Sequence, residues 1–151
     1  MLKLPTIIIY PNADAGGRKM ISTIKKYEGL PFIKTYKSLP HKDYLGLLKA
    51  AAVLVGNSSS GVIEASSFKL PVVNIGSRQE GRERSPKIID VGYNQVAISK
   101  AINKAMYDSK FRQNLRNCRS PYGAGNASKK ILAILTKLPA GSKLLQKRMT
   151  Y

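Results

Sequence analysis

Short apolar runs alternate with segments of helical periodicity, and this pattern constrains the fold of the 151-residue chain more than any other feature. The runs are rich in Ile and Val and have the length of strands buried on both faces. We predict strands at 6–10, 32–36, 52–56, 71–75 and 88–91. Helices between successive strands provide the crossovers that parallel strands require. The sequence therefore predicts an α/β fold of Rossmann-like type, a parallel sheet with flanking helices.

The helical segments and the length of the chain predict one domain with one core. Predicted helices lie at 16–26, 40–51, 94–107 and 125–137, with shorter ones after Gly61 and after Ser109. The stretch Pro139-Ala140-Gly141 stops the last of them. We therefore expect a domain at 1–138, followed at 139–151 by a basic C-terminal tail or short helix.

The composition excludes several kinds of site. Cys118 is the single cysteine and His41 the single histidine, so the chain can form neither an internal disulfide nor a Cys/His metal cluster. No apolar run approaches the ~20 residues of a membrane-spanning helix. We expect a soluble, cytoplasmic protein with no metal and no cofactor. His41 receives no catalytic role, because no carboxylate stands near it in sequence to orient it.

The charge is strongly positive and favours phosphate-bearing partners. The chain has 26 Lys and Arg against 8 Asp and Glu, a formal net charge of +18, and no acidic residue follows Asp108. Such a field attracts the phosphates of nucleotides and of nucleic acids. A non-catalytic basic module that docks on nucleic acid or on an acidic partner is one alternative. Because no nucleic-acid motif or aromatic interleaving accompanies the charge, we expect no nucleic-acid partner.

The stretch 57–61, called here the serine loop, follows the third predicted strand and has the sequence Asn-Ser-Ser-Ser-Gly. Hydroxyls and unpaired backbone N–H groups at the start of a helix can hold a phosphate. Glu64 lies one turn further, where its carboxylate could accept hydrogen bonds from the vicinal hydroxyls of a ribose. The alternative is a serine cap with Glu64 in a capping box and no ligand.

The stretch 76–84, called here the arginine loop, follows the fourth predicted strand and contains Arg78, Arg82 and Arg84. Guanidinium groups bind phosphate bidentately, and loops at the carboxyl ends of strands are where open α/β sheets bind ligands. Two phosphate-directed loops on adjacent strands suggest a diphosphate. The alternative is an exposed loop whose charges are offset by Glu80 and Glu83. A third loop, 12–18, follows the first strand, where Asp14 could simply cap the next helix.

Together, the three loops resemble the C-terminal half of UDP-N-acetylglucosamine 2-epimerases, most closely the hydrolysing branch that makes N-acetylmannosamine for sialic acid and related sugars. The stretches that carry the likeness are 10–16, 56–65, 71–84 and 120–128. They occur in the family's order across residues 6–138. The resemblance implies two Rossmann-like domains in the glycosyltransferase-B arrangement, with UDP held by the C-terminal one. A glycosyltransferase half of the same plan remains an alternative.

The resemblance also implies roles for individual residues. Ser58 and Ser59 would contact the diphosphate, Glu64 the ribose, and Arg78 the phosphates. Asn12 would complete the UDP-binding set from the edge of the cleft. The remaining cleft-edge positions would be Asp14, Ser60, Gly61 and Arg82.

The chain departs from the family in length, since it has about half the expected number of residues. The resemblance assigns the carboxylates that handle the sugar C2 proton to an N-terminal Rossmann-like domain, and we expect that domain as a missing partner. The full-length reaction would eliminate UDP from UDP-GlcNAc and then hydrate the product to N-acetylmannosamine. We therefore expect this chain to bind UDP or UDP-GlcNAc without turning it over, and we assign it no catalytic residue.

Overall fold

The computed structural model of the chain describes residues 3–12, 15–85, 88–123 and 125–139. Asp14 and almost all of the predicted tail at 139–151 lie outside the described residues. The strands are β1 Thr6–Ile9, β2 Ile33–Tyr36, β3 Leu54–Gly56, β4 Val72–Ile75 and β5 Ile88–Val91. The helices are α1 Gly17–Lys25, α2 His41–Ala50, α3 Glu64–Ser67, α4 Gln95–Tyr107, α5 Ser109–Arg116 and α6 Ala127–Leu135.

All strand pairs among the described residues are parallel, which confirms the predicted α/β class with parallel strands and flanking helices. Within the described residues the strands divide into two sheets, β1-β2 and β3-β4-β5. In the larger sheet, Val72 of β4 lies opposite both Leu54 of β3 and Ile88 of β5. The division into two sheets was not predicted, because periodicity identifies a strand without naming its neighbours.

The three-stranded sheet is covered by helices on both faces. Val72 packs with Leu48 of α2 and Ala65 of α3 in one buried cluster. The adjacent Val73 packs with Ala101 and Ala105 of α4 in another. Successive residues of a strand point to opposite faces, so the adjacent valines of β4 contribute to one cluster each. Helices therefore pack on both faces of this sheet. The loops that follow β3 and β4 lie at the carboxyl ends of these strands.

The helix after Gly61 is much shorter than the sequence predicts. Residues Ser59–Gly61 form a 3-10 turn, and α3 adds a single α-helical turn. The Ser66 hydroxyl donates to the Ile63 carbonyl at 2.8 Å, a local bond that competes with regular helix continuation. The chain then reverses at Lys69, whose φ of 54° is left-handed, and enters β4 after Pro71. The reversal brings β4 directly beside β3.

Helices α4 and α5 begin at the predicted residues, because each has a capping side chain. The Asn94 side chain accepts from the Ala97 N–H at 3.0 Å, and Asp108 accepts from the Phe111 N–H at 2.9 Å. By contrast, α6 has no buried residue. In the part of the chain that is described, no helix combines the length and apolarity needed to cross a membrane.

Candidate functional site

The serine loop and the arginine loop leave the same edge of the three-stranded sheet. Gly56, the last residue of β3, lies opposite Asn74 of β4. Since β4 ends at Ile75, the carboxyl ends of the two strands differ by one residue in register. Gly56 has a φ of 148° and Gly76 a φ of 77°, which are conformations that favour glycine. These glycines let the chain leave each strand sharply, and both loops start close to the strand ends.

The backbone carbonyl of Asn57 joins the two loops. Gln79 Nε2 donates to this oxygen at 2.7 Å, and Arg78 Nη1 donates to it at 3.1 Å. Gln79 is only 1% exposed, whereas Arg78 is exposed. The arginine loop therefore packs against the start of the serine loop, and Arg78 lies within reach of the residues that follow Asn57.

The 3-10 turn pairs the backbone N–H groups from Ser60 onward. The Ser60 N–H bonds to Ser58 Oγ at 3.3 Å. The next N–H groups also have acceptors in Ser58 or Ser59, namely those of Gly61, Val62 and Ile63. The N–H groups of Ser58 and Ser59 have no acceptor among the described residues, because the 3-10 turn pairs only those that follow them. The loop therefore offers a ligand these two N–H groups together with the hydroxyls of Ser58, which is exposed, and Ser59, which is half-buried.

Two residues expected at the edge of a cleft lie in the interior of this loop. Ser60 is 8% exposed, and its hydroxyl is hydrogen-bonded to the Tyr44 hydroxyl of α2. Gly61 is buried against β4, where an added Cβ would lie 3.0 Å from Val72 Cγ1. These contacts fix the serine loop to α2 and to the sheet.

Glu64 begins α3 directly behind the serine loop. Its Oε2 atom is buried and has no hydrogen-bond partner among the described residues. Ser58 caps the 3-10 turn, which is the serine-cap part of the alternative, whereas α3 itself starts after Ile63 without a side-chain cap. A buried carboxylate oxygen without a donor is costly, by about 1–3 kcal/mol for a polar group in general. The Glu64 carboxylate therefore has an acceptor atom that the described residues leave unused.

The three arginines of the arginine loop have different surroundings. Arg84 Nη1 lies 2.8 Å from Asp90 Oδ1 of β5, and Asn74 Nδ2 donates to the same oxygen at 2.8 Å. Arg84 is therefore part of the loop's anchor. Arg78 lies over the serine loop, and Arg82 is exposed.

The first loop is not joined to the other two by any hydrogen bond within the described ranges. Asn12 is exposed, and its carbonyl lies against Gly17 at the start of α1, where an added Cβ would be 2.8 Å from that oxygen. Asp14 lies outside the described residues. The described residues also contain no group of three or more His, Cys, Asp or Glu side chains that could hold a metal ion.

A further segment, 120–122, contacts both α3 and the arginine loop. The hydroxyls of Ser120 and Ser66 are 2.8 Å apart, and the Tyr122 hydroxyl donates to the Glu83 carbonyl at 2.5 Å. Sequence reasoning gave no site role to Tyr122, Gln79 or Tyr44. Tyr122 and Gln79 lie in the stretches 120–128 and 71–84 that carry the resemblance. Both donate to backbone carbonyls, and the residue type does not predict which carbonyl will accept.

Comparisons with known proteins agree on one family. The profile of the family described as UDP-N-acetylglucosamine 2-epimerase matches residues 2–136. The chain is 38% identical over 148 residues to the UDP-N,N'-diacetylbacillosamine 2-epimerase (hydrolyzing) of Legionella pneumophila, covering 98% of this chain and 38% of that protein. It is 37% identical over 105 residues to the UDP-N-acetylglucosamine 2-epimerase of Neisseria meningitidis, covering 70% of this chain and 28% of that protein.

Solved structures show the same fold. The crystal structure of Methanocaldococcus jannaschii UDP-GlcNAc 2-epimerase in complex with UDP-GlcNAc and UDP superposes with a TM-score of 0.63 at 24% identity. The match covers 86% of this chain and 35% of that one. The match thus covers between 28% and 38% of the length of these relatives, which is less than the half expected from the resemblance.

Proposed function

Because the chain belongs to the UDP-N-acetylglucosamine 2-epimerase family, we propose that it is the UDP-binding portion of such an enzyme. The ligand would be UDP or UDP-GlcNAc, held where the serine and arginine loops meet. The relative from Legionella pneumophila bears the name of a different UDP-linked amino sugar. We therefore place the substrate in the class of UDP-linked N-acetylated amino sugars, with UDP-GlcNAc as its first candidate.

The buried, unpartnered Oε2 atom of Glu64 is the observation that carries this proposal. A carboxylate oxygen accepts hydrogen bonds only, so its natural partners are donors such as the vicinal hydroxyls of a ribose. Charge-assisted bonds of this kind are stronger than those between neutral groups. A ribose at Glu64 would lie directly behind the serine loop, and its attached diphosphate could then reach that loop.

The diphosphate would be bound by hydroxyl and guanidinium groups. Ser58 and Ser59 offer hydroxyl donors, and Arg78 is tied to the carbonyl that immediately precedes Ser58. A guanidinium suits a phosphate because its N–H groups form a planar fork. Arg82, exposed further along the loop, would extend the positive surface toward the sugar. Asn12 and Asp14 remain proposed at the cleft edge, where Ser60 and Gly61 would support the serine loop from its buried side.

In the complete enzyme we propose the hydrolysing reaction that the resemblance implies. A base removes the C2 proton of the sugar while UDP leaves from C1, and water then adds to give N-acetylmannosamine from UDP-GlcNAc. The groups that move the proton would come from an N-terminal Rossmann-like domain facing this one across a cleft. This chain alone is proposed to bind the nucleotide sugar without converting it, since general acid-base chemistry requires a group positioned on the sugar.

Calorimetric titration of the chain with UDP tests the proposal. We expect saturable one-to-one binding, weakened by Ser58→Ala but not by the matched substitution Ser67→Ala at an exposed serine of α3. A ligand that prefers the folded state should also raise the unfolding midpoint. If UDP gives neither heat nor a midpoint shift at millimolar concentration, the proposal is wrong. Tight, steeply salt-dependent binding of an oligonucleotide in place of UDP would favour a basic docking module instead.

A further inference from the structure

Gln79 is an unusual residue to find in the interior of this domain. It has the greatest volume of the fully buried side chains, with 1% of its surface exposed. Its Nε2 atom donates to the Asn57 carbonyl at 2.7 Å, while its Oε1 atom is buried without a hydrogen-bond partner among the described residues. It therefore connects the arginine loop to the serine loop through a residue, Asn57, that is 22 positions away in sequence.

Packing alone does not account for an amide at this position. A buried polar atom without a partner costs about 1–3 kcal/mol, whereas an apolar side chain of similar volume would avoid that cost. The hydrogen bond that Gln79 does make is worth only about 0.5–1.5 kcal/mol net. What the amide supplies beyond volume is a directed bond to one particular carbonyl, and therefore a fixed relation between the two loops.

The bonded carbonyl controls the residue that follows it. The Asn57 C=O and the Ser58 N–H belong to one planar peptide unit, so fixing the oxygen fixes the orientation of the N–H and of the Ser58 Cα. Arg78 Nη1 donates to the same oxygen from the exposed side, at 3.1 Å. If Arg78 turns toward a phosphate, the buried Gln79 bond still holds the peptide plane.

We propose that Gln79 is a positioning residue that holds the Asn57–Ser58 peptide plane, and so presents Ser58 to the diphosphate, without touching the ligand itself. This inference rests on the proposed function, and it goes beyond it by adding a residue behind the site. Preorganisation of a loop increases affinity because the ordering cost is met before the ligand arrives. Loss of the Gln79 donor should therefore weaken UDP binding even in fully folded protein.

The test uses Gln79→Met, which keeps the volume and removes the donor, in the whole 151-residue chain. Titration with UDP below the unfolding transition should show binding about five- to tenfold weaker than in the unchanged protein. Leu115→Ala is the control, because Leu115 is 4% exposed on α5 and its truncation destabilises the fold away from both loops. The control should lower the unfolding midpoint and leave the UDP affinity within about twofold.

A second variant keeps the inference testable if Gln79→Met does not fold. In Gln79→Glu the ionised carboxylate cannot donate to the Asn57 carbonyl, but the protonated acid can. UDP affinity relative to the unchanged protein, measured at each pH, should therefore recover as the pH is lowered. A ratio that does not recover at low pH would contradict this inference, because the protonated acid restores the donor.

The outcomes separate the two proposals. Without the Gln79 amide, the amide resonance of Ser58 should shift in the ligand-free protein, a readout that does not depend on UDP. If the unchanged protein binds UDP and Gln79→Met binds it equally well, Gln79 is structural only and this inference is wrong. If the Ser58 resonance shifts but even the unchanged protein does not bind UDP, the contact between Gln79 and the Asn57–Ser58 peptide stands and the proposed function fails.

Discussion

Arg84 Nη1 lies 2.8 Å from Asp90 Oδ1, and this ion pair fastens the far end of the arginine loop to β5. The same carboxylate oxygen accepts from Asn74 of β4, so one acidic side chain holds two strands and a loop. The arginine loop is thus anchored at one end by Arg84 and fixed by Gln79 nearer its other end. Its arginines are therefore expected to differ in function.

We expect Arg84→Met to affect stability and Arg78→Met to affect binding. The side chains of Arg84 and Asp90 are 29% and 48% exposed, and a pair so solvated stabilises by about 0.2–1 kcal/mol. Arg84→Met should lower the free energy of unfolding by that amount and change the UDP affinity less than about twofold. Arg78→Met should weaken UDP binding about tenfold or more. Denaturant unfolding measures the stability of each variant, and titration measures its UDP affinity. Weaker UDP binding in Arg84→Met but not in Arg78→Met would contradict the proposed site.

Gly76 is expected to tolerate no side chain. It combines a φ of 77° with a close approach to the ring of Tyr93, which an added Cβ would strike. Gly76→Ala should therefore lower the free energy of unfolding by about 1–3 kcal/mol. Tyr93 is 82% exposed, so adding Tyr93→Ser should relieve the collision and leave only the backbone strain.

The control for that substitution is Gly46→Ala. Gly46 lies inside α2 with no atom within 4 Å of an added Cβ, so alanine there should stabilise by about 0.5–1 kcal/mol. Thermal unfolding of both variants gives the comparison. Equal effects of the two substitutions would show that Gly76 is not constrained as described.

Leucines of the core and of α6 should respond very differently to truncation. Leu48 of α2 is 3% exposed in the cluster against β4, whereas Leu132 of α6 is 62% exposed. Leu48→Ala should cost about 2–5 kcal/mol of folding free energy, and Leu132→Ala should stay within about 0.5 kcal/mol of neutral. Urea unfolding of each variant measures the difference. A large loss for Leu132→Ala would mean that α6 packs against something in solution.

Glu28 is expected to make stability fall in acid. Hydrogen bonds from the Tyr10 and Thr35 hydroxyls lower the pKa of Glu28 from its ordinary value of 4.5. The unfolded chain therefore binds this proton first, so the contribution is present above pH 4.5 and is lost as the pH falls through the lower folded-state pKa. Glu28→Gln should lose that part of the pH dependence between neutral pH and acid. An unchanged unfolding profile would contradict the contact.

The same bond acts on Tyr10 in the opposite direction. Hydrogen bonding to Glu28 raises the pKa of Tyr10 above its ordinary value of 10.0. Its contribution is present below pH 10.0 and is lost as the pH rises through the raised pKa. Spectrophotometric titration should show that Tyr10 ionises above pH 10.0, and Glu28→Gln should lower its pKa toward that value.

The fold class was predictable because it depends on local patterns. The Ile- and Val-rich runs identified all five strands of the described structure, and the helical periodicity placed the starts of α4 and α5 to within about one residue. The division of the strands into two sheets was not predictable, because it depends on which strands become neighbours. The single turn of α3 was missed because Ser66 and the left-handed Lys69 end a pattern that is otherwise helical.

The sequence predicted which types of residue form the candidate site, but it predicted only part of the contacts between them. The serine and arginine loops follow adjacent strands, as predicted, and Arg78 joins them through the Asn57 carbonyl, whereas phosphate binding there remains a prediction. The burial of Gln79 was not visible in the sequence, since glutamine is ordinarily an exposed residue. The UDP-binding roles of Ser58, Ser59, Glu64, Asn12 and Arg78 remain predictions.

The most direct measurement compares UDP with 2′-deoxy-UDP on the unchanged protein and on Glu64→Gln, by titration calorimetry. If Glu64 receives the ribose hydroxyls, the unchanged protein should prefer UDP by about tenfold, the effect of one charge-assisted hydrogen bond. Glu64→Gln should bind UDP more weakly and lose most of that preference, whereas Glu83→Gln, an exposed carboxylate with the same change in charge, should keep it. If the unchanged protein binds UDP and 2′-deoxy-UDP equally well, or binds neither of them, the account is contradicted.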